Sequence, residues 1–398
     1  MVATTGYQAG VETTQTQWSY GFESVWGTKP AIAFQALRFT GETMGKTRTR
    51  QRPLEINATR EAAAAVTVQE QVGGALNFAM SYGTYDDLFA IALGVEFSTP
   101  LAIAGIAGDI TITAGTNVLS STLGTKFSAI VQGQYIRLLG FTNAANNGIW
   151  FVQTKTDNSH LVLAGIRTIV TETPGGTAAQ IRGSTAQNST EIRSVWLQEQ
   201  LAPALFLNYP GTFVTGFSLQ AQIGQFFNGS FNLLCKDESN ATVNGSTGAV
   251  LAAPGGRVIT PTSGYLGTLI DSAAPTAIID QLNLTVANTG AVPEYGLGTA
   301  GSAGFTGGYL EASGTFRAFF PDFNLYTMYV AEAQHLIGFQ MQDANADAYV
   351  FSFGTATLSD AKVNAGGPGQ PVYASMAFMA DPAPVGGGTF RIDKLPHV

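Results

Sequence analysis

Charge is scarce in this sequence: Asp, Glu, Lys and Arg make up 12% of its 398 residues, about half the usual share. With 45% hydrophobic residues, the chain can bury a sizeable core and is not of the disordered class. Cysteine is nearly absent. The single Cys235 excludes an internal disulfide and any multi-thiolate metal site. Its place in an alternating apolar segment implies a buried, inert thiol. Three histidines, His160, His335 and His397, are scattered without metal-ligand spacing, and His335 reads as an edge residue of a strand. No apolar run reaches the roughly 18 residues of a membrane helix. The opening Met1–Gly6 lacks the basic and apolar regions of a secretory signal. A protein made in a reducing cytoplasm and working without a membrane is expected. Basic excess is missing too. The formal net charge is −8, which argues against gripping nucleic acid by its phosphates. The acidity is concentrated late: residues 196–398 carry 14 acidic and 6 basic side chains, whereas 101–195 carry 4 and 6.

What is abundant points to strands. Glycine (47), Phe (25) and recurrent Val, Thr and Ile favour strands and tight turns, an all-β chain. Leu76, Phe78, Met80 and Tyr82 alternate with small or polar residues. Phe213–Ile223 alternates likewise, and the pattern resumes at Phe227–Cys235 after Gly224-Gln225. Glycine first in a two-residue connection predicts a type II′ hairpin. Leu282–Val286, Leu310–Phe320, His335–Gln342, Ala348–Phe353, Tyr373–Ala380 and Thr389–Ile392 are further strands. Each long strand keeps one apolar face, so the sheets should pack as a sandwich or barrel.

One flanking helix is expected over Thr84–Gly94, capped by Thr84, favoured by Asp86 and Asp87 in its first turn and ended by Gly94. Leu88, Ile91 and Ala92 form its apolar stripe. A second helical turn is expected after Asp322. Residues 109–183 differ in texture. Short strands at Ile110–Thr113, Tyr135–Phe141, Ile149–Lys155, Leu161–Ala164 and Ala178–Ile181 are separated by turn signals, notably Pro174-Gly175-Gly176. They read as a small β-barrel inserted into a discontinuous main domain of residues 1–108 and 184–398, tethered by loops.

Motifs of chemistry fail on context. Gly296–Gly301 matches G-x-G-x-x-G, but a glycine-rich stretch and a strand follow it where a helix is required. Asp343, Asn345 and Asp347 imitate a calcium loop, yet Ala348 stands where Gly is needed and Gly354 where Glu is needed. No nucleophile sits in a recognisable elbow. The expectation is no enzyme, no cofactor and no metal. Lys46, Arg48, Arg50 and Arg52 alternate with polar residues, and Arg60 follows. Alternation puts the first four on one side of an extended segment. A solvated loop, a loop docking on an acidic neighbour and a weak nucleic-acid contact all remain open.

Phe22–Thr28 with Leu37–Thr40, the run Gly74–Leu88, Tyr209-Pro210-Gly211, the Phe213–Lys236 hairpin and Gly308–Phe320 follow one another in an order and spacing that resembles tail tube (major tail) proteins of long-tailed siphophages and gene transfer agents. The middle segment, with Gly133–Arg137 and Gly140–Asn143, looks like the added barrel of some members. The resemblance implies two sheets flanked by a helix, hexameric rings stacked into a hollow virion tail, and DNA passing through the lumen without specific binding. It implies partners at the tube ends, namely tape measure, tail terminator and distal tail proteins, and assembly in the host bacterial cytoplasm. The inserted barrel would decorate the exterior. Lys46, Arg48, Arg50, Arg52 and Arg60 become candidates for contact between rings. Gln220, Gln222, Asn228, Ser230 and Asn232 become candidates for the lumen face, neutral polar residues offering few sticky contacts beside an acidic lining. The competing reading is a β-rich surface adhesin for glycans or receptors, whose mark would be exposed aromatics around Tyr135, Phe141 and Trp150.

Overall fold

The computed structural model describes residues 10–56, 58, 61–106, 108–174, 179–271, 273–384 and 388–397. Its longer elements begin with β1 (Gln17–Phe22), β2 (Gly45–Gln51), β3 (Val66–Ala79) and helix α1 (Asp86–Leu93). The middle segment holds β4 (Leu101–Ala104), β5 (Ile110–Thr113), β6 (Val118–Ser121), β7 (Tyr135–Leu139), β8 (Gly148–Lys155) and β9 (His160–Ala164). β10 (Gln180–Gln187), β11 (Val195–Ala202), β12 (Leu205–Gln222) and β13 (Asn228–Cys235) follow. The chain ends with β14 (Tyr265–Ile270), β15 (Ile279–Thr289), β16 (Tyr309–Phe319), α2 (Asn324–Val330), β17 (Gln334–Gln342), β18 (Ala348–Ala365), β19 (Val372–Asp381) and β20 (Arg391–Leu395). Strands dominate and helices are few, so the chain is all-β.

One antiparallel sheet runs β2–β3–β13–β12–β15–β16–β19 and ends on the second half of β18. A second runs β14–β17–β18–β20 and takes the second half of β10. β18 therefore passes from one sheet to the other. The first half of β12 leaves the main sheet to pair with β11, which in turn pairs with β1. Because side chains alternate across a strand, each sheet turns one apolar face inward. Phe78, Phe217, Phe231, Phe316 and Phe378 of the first sheet share one core with Phe339, Phe351, Phe353 and Ile392 of the second.

Helix α1 is buried from Leu88 through Leu93, more completely than a single stripe predicts. Asp86 and Asp87 occupy its first turn, and Gly94 closes it at φ 65°, a left-handed position that suits glycine. The expected cap by Thr84 is not made. Thr84 Oγ1 lies 2.7 Å from Ser81 Oγ instead, and Tyr85 is the capping residue, its side chain making no capping bond. The β12–β13 hairpin is present in the expected strands, with Gln220 opposite Asn228. Its connection spans Ile223–Phe227, longer than the two residues expected. Phe227 leaves the ladder because its carbonyl accepts from Met80 N (2.7 Å) and its buried side chain enters the core.

The middle segment has its own core of Ile112, Leu119, Phe127, Ile136, Trp150 and Leu163, among others. β4, ahead of the expected start at 109, belongs with these strands because it pairs with β10. The expected end at 183 falls inside that strand. Gln180–Gly183 pair with β4 and β7, and Ser184–Gln187 pair with β20. A loop over residues 95–100 joins the segment on its N-terminal side only. A continuous strand joins it to the body, and a seam cluster of Tyr135, Ile149, Phe151, Leu269, Val350 and Leu395 is buried between them. Tyr135 N also donates to the buried Asp393 carboxylate at 3.1 Å. Ala178, Gly175 and Gly176 lie outside the described residues.

Phe231 sits where aromatic side chains of β3, β12 and α1 converge. Phe231→Ala should cost about 3–5 kcal/mol of stability through the cavity it leaves. Val243→Thr, at an exposed position, should change it by less than about 0.5 kcal/mol. Urea unfolding of both variants checks the contrast.

Candidate functional surfaces

The five expected basic residues begin on β2. Its ladder with β3 sets Lys46 opposite Val72 and Arg48 opposite Glu70, and the register shifts between Thr49 and Arg50. β13 pairs with β3 only from Val72 onward. Gly45–Gln51 and Val66–Gln71 therefore form a two-stranded arm rather than the loop the sequence suggested. Lys46 Nζ reaches both Glu70 and Asp237 at 2.7 Å, and Arg48 Nε meets Glu70 at 2.7 Å. These two cations fasten the arm to its own chain and hold the Glu70 carboxyl below its ordinary range. Arg50 and Arg52 are exposed and have no ion-pair partner among the described residues. Arg60 lies outside the described residues. Nearby, Leu54 and Ile56 are fully exposed, and Val66 and Val68 about half so. Those four apolar residues were missed in the sequence, since Thr67, Gln69 and Gln71 alternate with valines whose two faces are both open. Apolar side chains beside unpaired cations at a sheet edge are the composition of a docking element.

The five polar candidates share one face of the main sheet. Gln220 lies opposite Asn228, Ser230 opposite Ser218, and Asn232 opposite Gly216, with Gln222 one step further along β12. The rows extend across neighbouring strands. One reads Asn77, Ser230, Ser218, Thr285, Ser313; the next reads Ala79, Asn228, Gln220, Asn283, Thr315, Ala377. Asn77, Thr285, Ser313 and Thr315 were legible in the alternation of their own segments and extend the face. Its charges lie toward the ends of these rows: Arg317, bonded to Asp280 at 2.7 Å, Glu311, bonded by Thr289 at 2.5 Å, and Asp360 and Lys362 of β18, opposite Ala377 and Ser375. Over its middle strands, β13, β12 and β15, the surface is neutral and polar.

The arrangement offers little chemistry. No group of three metal-ligating side chains occurs among the described residues. Cys235 is buried, and burial pushes its thiol up to about 12. His335 is buried rather than at an open edge, with Nδ1 2.9 Å from Asp271. In the middle segment Ser159 Oγ and the Asp157 carboxylate both approach Nδ1 of His160, at 3.1 and 3.0 Å. A proton relay needs them on opposite ring nitrogens. Asp343 Oδ1 accepts the amides of Asn345 and Asp347 at 2.8 and 3.0 Å, which makes a polar hairpin turn. Gly296–Gly301 bridges two short strands, Val292–Glu294 and Gly304–Thr306, with no helix behind it. Tyr135, Phe141 and Trp150 are core residues, at most 4% exposed. The aromatic surface that an adhesin would show there is absent, because alternation turned those rings inward.

One buried acid was not anticipated. Glu199 on β11 is 5% exposed, opposite Trp18 and Leu207. Burial, aided by Glu42 and Glu238, pushes its carboxyl up to about 7. The folded protein thus keeps a proton that the unfolded chain releases near 4.5. Stability contributed by this group falls as pH rises from about 4.5 to about 7. Glu199→Gln should flatten the pH dependence in that window and be more stable than the parent at pH about 8, as read from denaturation midpoints at several pH values.

A search of curated proteins finds no match for the chain. A family model described as phage tail tube protein matches residues 13–380, nearly the whole sequence, and the chain belongs to that family.

Proposed function

We propose that copies of this chain close head to tail into hexameric rings, and that the rings stack into the tube through which a virion delivers DNA. The supporting observation is a sheet open at both ends. At one end β2 of the arm has, among the described residues, only β3 beside it. At the other, Asp360–Ala365 of β18 pair, among the described residues, only with β19. Unpaired strand edges template pairing with another chain. When the two edges of one sheet differ, the contact is heterologous and gives a ring if the rotation closes. Membership of a structural tail family supports the same reading.

In such a ring the neutral rows around Gln220, Gln222, Asn228, Ser230 and Asn232 line the bore. Affinity for duplex DNA scales with the phosphates neutralised by cations. A lining of amides, hydroxyls and alanines releases few counterions and lets the genome slide. The middle segment joins the second sheet through β10 and β20, across the core from these rows, and faces the exterior. The arm, through Arg50, Arg52 and its apolar residues, reaches the next ring, where the acidic C-terminal half supplies carboxylates; Arg60 is assigned to the same contact. Tape measure, terminator and distal tail proteins meet the tube at its ends. Assembly takes place in the host cytoplasm without membrane, metal or cofactor.

Electron microscopy of the purified protein should show annular particles or tubes. Arg50→Glu combined with Arg52→Glu should leave the circular dichroism spectrum unchanged and abolish stacking. A protein that remains monomeric at every concentration, or a double variant that stacks as well as the parent, sinks the proposal.

A further inference from the structure

The seam between the middle segment and the body contains a cleft of about 220 Å3. The middle segment contributes Arg137 from β7 and Arg167 from the turn after β9. The body contributes Gln340 and Gln342 from β17, and the exposed His397. Apolar side chains, including Ile149, Ile166 and Leu266, form the remaining wall, and among the described residues no Asp or Glu lines the cleft.

The donors here are under-used. Arg137 is 4% exposed and Gln340 1%. Arg137 Nε and Gln340 Nε2 have no hydrogen-bond partner among the described residues. Arg137 Nη1 donates to the Ala346 carbonyl and lies 3.4 Å from His397 Nδ1. Arg167 Nη1 donates to the Asn147 carbonyl at 2.9 Å. Neither arginine has a carboxylate within ion-pair distance among the described residues. Asp347 and Asp343 act on Arg137 only through space, and Asp347 accepts the His397 amide. Burial lowers the Arg137 pKa, and Arg167 adds repulsion. Two like charges and a buried amide converging on one cleft leave donors unmatched, which a folded protein rarely tolerates.

We propose that this cleft binds a small oxyanion, phosphate or the carboxylate of a small molecule, which clamps the middle segment to the body. A guanidinium fork matches such an anion with paired charge-assisted bonds. The apolar wall excludes water and strengthens them. Binding neutralises the repulsion between Arg137 and Arg167 and occupies donors contributed from both sides of the seam. Because each side supplies part of the site, affinity is coupled to their docking, and the ligand stabilises the docked arrangement by mass action. The inference stands apart from the tube reading, since it concerns contacts within one chain.

The test is thermal unfolding and titration calorimetry of the full chain with inorganic phosphate, and separately acetate, against chloride at fixed ionic strength. A saturable rise in midpoint with phosphate or acetate, but not chloride, is expected, and the two arms distinguish the source of the oxyanion. Arg167 is exposed, so Arg167→Gln should fold normally and weaken binding by roughly tenfold or more. Arg167→Lys should recover part of the loss. Amide exchange over Tyr135–Leu139 and Gln334–Gln342 should slow on binding in the parent alone. A response equal to that of chloride, or identical in the parent and Arg167→Gln, overturns the proposal.

Discussion

Both sheets converge on one ring, Phe89 of α1. Its centroid lies 4.9 Å from Phe217 and 5.2 Å from Phe231 of the main sheet, and 6.0 Å from Phe351 and 6.4 Å from Tyr349 of the second. A helix that is apolar all round has no solvated face to offer and must be enclosed. Here it is enclosed between sheets, which fixes their separation. Its polar end is fixed as well. Asp86 accepts from Tyr349 and Lys394 of the second sheet, and Asp87 accepts from Tyr20 of β1 at 2.6 Å. Carboxylates at a helix N-terminus are favoured by its dipole, so the two aspartates both start the helix and bolt it to strands on either side.

Once the wedge sets which face of the main sheet points inward, the other face is determined without further choice. A one-residue slip would exchange the faces entirely. Phenylalanines from several strands meet beneath the sheet, and such pairs contribute beyond simple burial. The register that buries them is the register that aligns Asn77, Ser230, Ser218, Thr285 and Ser313 in one row. The low charge content acquires a structural meaning here: a broad solvated face is built from amides, hydroxyls and alanine methyls instead of ions.

The legible parts of the fold are those where one face is wet and the other dry. Phe213–Gln222 and Asn228–Cys235 announce themselves because the contrast between successive residues is large. Val66–Gln71 does not, since both of its faces are exposed and no packing gradient marks them. The length of the β12–β13 connection was beyond local reasoning because Phe227 is drawn off by Met80 and Ile259, partners remote in sequence. The same holds for β10. Gln180–Gln187 carries no break at Gly183, yet its two halves serve different sheets. Aromatic residues in alternating strands such as Tyr135 and Trp150 are compatible with either face, and only the tertiary packing decided that they are core. The cations of β2 were visible as a cluster, but their division into Lys46 and Arg48, which are paired, and Arg50 and Arg52, which are not, depends on Glu70 and Asp237.

That division gives the arm its physical character. A two-stranded ribbon is marginal in water, so the length of the arm has to be supported from somewhere. Lys46 and Arg48 hold its base through Glu70, and Glu70 N donates to the Ala300 carbonyl at 2.8 Å, which leans the glycine-rich loop against the same point. Beyond that brace Leu54, Ile56, Val66 and Val68 are exposed. The free arm therefore exposes apolar surface and open backbone groups together, the pairing of features that makes an edge prone to uncontrolled association. Arg50 and Arg52 limit this, because like charges on two arms repel while an acidic partner surface attracts. Cations placed beside apolar residues thus disfavour contact between identical arms. A contact between different patches propagates in one direction, which is the geometry the proposed tube requires.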